Sequence, residues 1–284
     1  MKKIMSMKKI QIVAASIALF AMAVGFIFAP ASTITIKGSD TMVQLAQRWA
    51  EKYMKEEPGV NIQVNGGGSG TGISALINGT IDICTASRPM KDAEKLKLRE
   101  RYGSTGIEVR TAKDGLTIYL NEANGVNELS FAQIKGIYTG KIKNWKEVGG
   151  NDADIILYGR ENSSGTYAFL KEVVLNNDDY ANAMQALPGT AAVVNAVKRD
   201  PNGIGFGGAG YAKGVKETAV RKGDGDQAYK PSGENVSSGN YPITRFLYFY
   251  LRQKPDGEMK EFIKWVLGSE GQQIVVNEGF FPVK

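Results

Sequence analysis

Short apolar runs with strand-like alternation are followed repeatedly by helical stripes, and this succession limits the fold more than any other feature of the chain. Ile34-Thr35-Ile36 alternates as a strand and is broken by Gly38-Ser39. Apolar residues at Met42, Leu45, Ala46, Trp49, Ala50 and Tyr53 then recur at the 3.6-residue period of a helix that stops before Pro58-Gly59. Val60, Ile62 and Val64 predict a second strand, the glycine cluster 65–72 interrupts it, and a helix begins over 73–77. Residues 81–85 read as a strand, 91–102 as a charged surface helix, Lys113-Asp114-Gly115 as a turn, and 116–120 as a strand that opens a second lobe. Beyond it, Ser130 caps a helix over 131–138, 155–158 is a strand, and a helix follows over 167–174. Thr190 caps a helix over 191–198, and 204–206 is a short buried strand. The Gly-, Ser- and Asp-rich stretch 222–239 predicts a loop and a return crossing, followed by an aromatic strand over 246–251 and one amphipathic helix over about 257–276. The pattern is that of an α/β protein.

Composition narrows the chemistry. With 43% apolar and 23% charged residues in 284, the chain is of globular type. Four of its 35 Lys and Arg lie in the first nine residues, leaving 31 against 29 acids, a near balance that argues against a nucleic-acid partner. There is no histidine, which excludes a Ser-His-Asp or Cys-His relay and any His-dependent metal site. No metal and no cofactor is expected. Lys8-Lys9, the apolar run 12–29 and the small-x-small Ala29-Pro30-Ala31 predict a secretory signal over residues 1–31, cut or kept as a membrane anchor. The rest should work outside the cytoplasm, in the periplasm or at the cell surface. There a single Cys84 reads as a small buried hydrophobe on a strand.

Three strand-to-helix corners carry the chemistry: Gly38-Ser39-Asp40-Thr41, Gly68-Ser69-Gly70-Thr71 and Ser164-Gly165-Thr166. In each, a strand ends in hydroxyl residues and glycine, and a helix starts at once. Such a corner aims unpaired backbone N–H groups and about half a positive charge of helix dipole at one spot, which suits an anion. Taken singly, each is also an ordinary N-cap. Arg160 stands four residues before Ser164, and its planar fork matches two oxygens of a tetrahedral anion. Other uses of the glycines fail on spacing. Gly67 to Gly72 has the P-loop interval, but Ile73 occupies the lysine position; Gly70-Thr71-Gly72-Ile73-Ser74-Ala75 is only a loose dinucleotide fingerprint. The aromatics Tyr138, Trp145 and 246–250 read as core rather than as a stacking platform.

At these corners the sequence resembles the extracytoplasmic phosphate-binding proteins of high-affinity phosphate ABC transporters. The likeness runs through Ile36-Lys37-Gly38-Ser39-Asp40-Thr41-Met42, the run from Gly66 to Gly72, Ala86-Ser87-Arg88, the stretch from Ile137 to Trp145, Arg160 to Thr166, Gly203-Ile204-Gly205-Phe206 and Tyr241-Pro242-Ile243-Thr244-Arg245. It implies a type II-like periplasmic binding fold of two lobes, each a mixed sheet flanked by helices, with the ligand in the cleft between them. The lobes are expected over 32–113 with 240–284, and over 114–239. It also implies that the anion is held by Arg160, Ser164, Gly165, Thr166, Ser69, and Thr41 with Ser39. The protein it describes is a monomer that breaks no bond and passes inorganic phosphate to a membrane permease.

One position departs from the family: an aspartate that follows Ala-Ser in well-described members is replaced by Arg88. That aspartate is thought to accept the proton of hydrogen phosphate and so reject sulfate. Arg88 is therefore expected to add attraction for the anion and to remove the filter, with Asp40 a replacement acceptor or simply an acid favoured by the helix dipole. Two rival readings follow: a binder of another tetrahedral oxyanion such as sulfate or molybdate, and a secreted phosphate-ester hydrolase using Ser164 or Ser69.

Overall fold

A computed structural model describes residues 32–283; the expected export segment, 1–31, lies outside them. The strands are β1 (Ser32–Gly38), β2 (Val60–Asn65), β3 (Ile83–Ala86), β4 (Ile107–Leu120), β5 (Glu128–Ser130), β6 (Ile156–Arg160), β7 (Gln185–Leu187), β8 (Gly203–Gly208), β9 (Lys216–Glu217), β10 (Ala219–Arg221) and β11 (Thr244–Leu251). Nine of them form one sheet in the order β2-β1-β3-β11-β4-β8-β6-β7, with β9 on β4, while β10 and β5 pair apart. The sheet is mixed. β1 runs parallel to β3 and β6 parallel to β8, but β11 lies antiparallel to both β3 and β4.

Each end of the sheet has its own core. One gathers Ile34, Ile36, Leu45, Trp49, Ala112, Leu247, Phe249 and Phe262; the other gathers Leu116, Ile118, Ile134, Tyr138, Trp145, Leu170, Ile204 and Phe206. Burial of this kind is the main source of stability, and truncating a fully buried ring such as Phe206 to Ala would cost about 3–5 kcal/mol. The helix Val43–Glu56 buries Leu45, Ala46, Trp49, Ala50 and Tyr53 against the first core, the stripe its periodicity predicts. In the second, Ser130 caps helix Phe131–Tyr138 by accepting from the Gln133 N–H. Cys84 is fully buried, and desolvation pushes its thiol far above the ordinary range.

β4 joins the two cores. Residues Ile107 to Gly115 pair with β11, and Leu116 to Leu120 pair with β8. The turn expected at Lys113-Asp114-Gly115 is thus a continuous strand. Asp-Gly favours a turn locally, but here Asp114 lies opposite Arg245 on β11 and is ion-paired with it, an interaction that local propensity cannot see. The single C-terminal helix is likewise two, Gly257–Val266 and Ser269–Asn277. The second crosses the first so closely that a Cβ on Gly271 would lie 2.3 Å from the Val266 carbonyl oxygen. Gln272 Nε2 caps that carbonyl, and Trp49 Nε1 takes the Gly271 carbonyl. Thr190 does not cap its helix, which starts at Thr190 itself after Gly189. The stretch 222–239 contains a short helix, Gly233–Ser238.

Candidate functional site

The three corners converge. Corner one follows β1, where the Ser39 N–H donates to the Thr85 carbonyl at the end of β3 (2.9 Å). Corner two opens helix Ser69–Asn78. Gly68, at φ +91°, lets its backbone pass so close to corner three that a Cβ would sit 2.6 Å from the Ser163 carbonyl oxygen, which accepts from the Gly70 N–H at 2.9 Å. Corner three starts helix Gly165–Val173 after β6. Its Gly165 faces two hydroxyls: an added Cβ would lie 2.3 Å from Ser69 Oγ and 2.7 Å from Ser87 Oγ. Corners one and three meet through Thr41 Oγ1 and Thr166 Oγ1, 2.8 Å apart.

Ser39, Thr41, Ser69, Ser164 and Thr166 are all buried, a costly set of polar groups unless each finds a partner. Ser69 Oγ accepts from the Ser87 N–H (3.1 Å), and Ser164 Oγ, the N-cap, accepts from the Tyr167 N–H (3.3 Å). A hydroxyl whose oxygen is already taken by a fixed N–H keeps its own proton for donation. The first-turn amides of Gly165 and Thr166 precede the point at which helix bonds begin, so they add donors on the same side.

Arg160 reaches this cluster as the sequence suggests, buried to within 1% of full exclusion. Its Nη2 donates across the cleft to Asp40 Oδ2 at 2.6 Å, Nη1 donates to Thr190 Oγ1 at 3.0 Å, and Nε and Nη2 donate to the Glu161 carboxylate. Asp40 Oδ1 accepts from the Gly67 N–H (2.9 Å), so one carboxylate holds both the guanidinium and the glycine run. The Asp40 carbonyl accepts from Tyr211, whose hydroxyl burial pushes up to about 12, making it a donor throughout the physiological range. With Asp40 and Glu161 beside Arg160, the corners gather aligned donors without surplus positive charge.

Arg88 is elsewhere. Both of its Nη atoms fork onto the Glu94 carboxylate, at 2.8 and 2.7 Å, and Nη1 also donates to the Pro89 carbonyl. Glu94 sits in the first turn of helix Asp92–Tyr102, six residues on, and this local pair draws the guanidinium away from the corners. Any attraction of Arg88 for an anion therefore competes with Glu94. Burial alone would push the Glu94 carboxyl up, but the Arg88 fork and the Lys91 N–H overcome it and hold it below the ordinary carboxylate range.

Four contributors escape the sequence reading: Ser87, Asp114, Thr190 and Arg245. Arg245 Nε and Nη2 donate to Asp114 Oδ2 at 2.9 and 2.7 Å; Nη1 donates to the Ser87 carbonyl at 3.1 Å and Nη2 to Thr166 Oγ1 at 3.0 Å. An acid placed directly before the uncharged run Gly115–Leu120 was the available signal for Asp114. Thr190 was disguised as a cap.

The chain matches the PBP superfamily domain over residues 29–270. It is 35% identical over 263 residues to a phosphate-binding protein PstS of Pseudomonas aeruginosa, covering 87% of this chain and 81% of that one. To the Bacillus subtilis phosphate-binding protein PstS it is 34% identical over 256 residues, covering 88% and 81%. The crystal structure of a phosphate ABC transporter substrate-binding protein with bound phosphate from Clostridium perfringens superposes with a TM-score of 0.80 at 33% identity, covering 89% of this chain and all of that one. A cleft built of helix starts, on a sheet shared by two cores, is thus found in a chain that belongs to the PBP superfamily and, within it, to the family of phosphate-binding proteins PstS.

Proposed function

We propose that the protein captures inorganic phosphate outside the cytoplasm and delivers it to the membrane permease of an ABC transporter, acting as a monomer and breaking no bond. The observation that carries this reading is that corner three meets corner one at the Thr41–Thr166 contact and corner two at the Gly70 N–H to Ser163 carbonyl bond, beside a buried guanidinium. The anion is held by Ser39, Thr41, Ser69, Ser164, Gly165 and Thr166, with Arg160 supplying the cation. In a dry cleft each of these contacts is stronger than in water, because the local dielectric is low. Residues 32–113 with 240–284 form one lobe and 114–239 the other, a division the two cores support except just after the last crossing, where Tyr241 and Ile243 pack into the second core.

Asp40 is the proton acceptor in this reading. Hydrogen phosphate can donate to it, whereas sulfate would press an oxygen against a carboxylate, an unmatched acceptor pair worth about 1–3 kcal/mol of discrimination. Arg88, committed to Glu94, takes no part. Calorimetric titration with phosphate, arsenate, sulfate and molybdate tests the proposal. Tight binding of phosphate and arsenate with weak binding of sulfate is expected. Tighter binding of sulfate or molybdate would replace phosphate by another oxyanion, and turnover of a chromogenic phosphate ester would replace binding by hydrolysis.

A further inference from the structure

Arg245 lies on β11 directly across from Asp114 on β4, at the place where β4 leaves one core for the other. The side chains are 1% and 0% exposed, so water solvates neither charge. Asp114 Oδ2 takes two of the guanidinium's N–H groups, and Oδ1 accepts from the Ala209 N–H at 3.1 Å. The guanidinium carbon also stands 5.5 Å from the centre of the Phe169 ring, on the helix that starts at corner three. A cation this thoroughly fixed, with donors still to place, directs them to corner three and to the residue that follows β3: Nη2 to Thr166 Oγ1 and Nη1 to the Ser87 carbonyl.

Those contacts set a direction. A guanidinium donates and never accepts, so Thr166 Oγ1 must be the acceptor, and the threonine proton is turned away from Arg245. It points to Thr41 Oγ1, which then donates onward, or to the anion itself; either way the pair ends in a donor. The second contact acts at one remove. It pins Ser87, whose N–H occupies Ser69 Oγ; the Ser87 hydroxyl stands at a long 3.4 Å from that oxygen, so a closer anion can take the Ser69 proton. We infer that Arg245, held by Asp114, is a positioning residue that keeps the hydroxyls of Thr166 and, through Ser87, Ser69 turned as donors toward a tetrahedral oxyanion. The inference rests on the phosphate-binding reading of the cleft. It adds that this site's donor polarity is enforced from the sheet beneath it and not only by the three helix starts.

A double-mutant cycle between Arg245→Met and Thr166→Val, read by calorimetry with inorganic phosphate, separates this role from a merely structural one. Each single variant is expected to lose about tenfold to a hundredfold in affinity, and the double variant to lose no more than about threefold beyond Thr166→Val alone. Arg245→Lys, which keeps the charge without the fork, should recover only part of the loss. Because Arg245→Met strands a buried Asp114, the same cycle is run in an Asp114→Asn background, where Arg245→Met leaves no buried charge behind. Losses that multiply in either background, or an Arg245→Met protein that is folded by circular dichroism and binds phosphate like the parent, would overturn the inference while leaving phosphate binding intact. A parent protein that binds no phosphate would end the underlying reading and this inference together.

Discussion

Two buried or half-buried arginines of this chain behave in opposite ways. Arg88 meets its carboxylate six residues away, in the first turn of the next helix, and the pair closes on itself. Arg160 meets Asp40 at a separation of 120 residues, across the cleft, and that pair gathers three chain segments around one spot. Both pairs are charge-assisted and of similar length, Arg88 gripping Glu94 with both Nη atoms and Arg160 meeting Asp40 through Nη2 alone. What separates them is that a local pair consumes a cation, whereas a distant one builds a site.

The contrast predicts a graded series of effects. Arg160→Ala should weaken phosphate binding at least about thirtyfold, the lower end of the 2–5 kcal/mol expected for removing one partner of a buried charge pair. Calorimetric affinity equal to the parent's would erase the distinction between the two arginines. Asp40→Asn should come next, narrowing the phosphate-over-sulfate ratio about fivefold to a hundredfold. If that ratio is unchanged, Asp40 serves Arg160 and the glycine run but does not read the ligand's proton. Arg88→Ala should shift phosphate affinity by less than about twofold, since its pair with Glu94 is a partly exposed structural contact. A larger loss would return Arg88 to the site.

The smallest effect is on stability. Glu94 is held below its ordinary range in the folded protein, so the unfolded chain takes up its proton first as pH falls. Its stabilising share is therefore complete above the unfolded value and disappears as pH drops through the folded one. Arg88→Ala should therefore lower stability at neutral pH by less than about 1 kcal/mol in denaturant melts and flatten the acid limb, with parent and variant converging as pH falls below the folded value. An identical acid limb in parent and variant would show that the fork contributes nothing measurable.

The same local-versus-distant division governs how much could be read in advance. The helix Val43–Glu56 and the Ser130 cap are written within a few turns of sequence, in an apolar period and a hydroxyl followed by Gln133, and both form as expected. The three corners are equally local, which is why Ser39, Thr41, Ser69 and Ser164 to Thr166 could be singled out. What sequence could not supply was the choice of partner. Asp114-Gly115 looks like a turn until Arg245, 131 residues on, is placed opposite it. Arg88 looks like an anion ligand until Glu94 is folded back onto it, and Thr190 looks like a cap until Arg160 takes its hydroxyl. Even the break after Val266 depends on Trp49 and Gln272 reaching in from outside and inside the final helix.

β4 carries its hydrogen-bonded ladder from one core into the other, and the bridge between Lys113 and Phe281 flanks the passage with two more backbone bonds. A joint made this way can bend or twist about the strand, but it cannot slip along it without breaking several peptide bonds' worth of pairing at once. Any movement of one core against the other that keeps this ladder is therefore a rocking one with its register preserved, so it leaves Thr41 and Thr166 at the same facing positions.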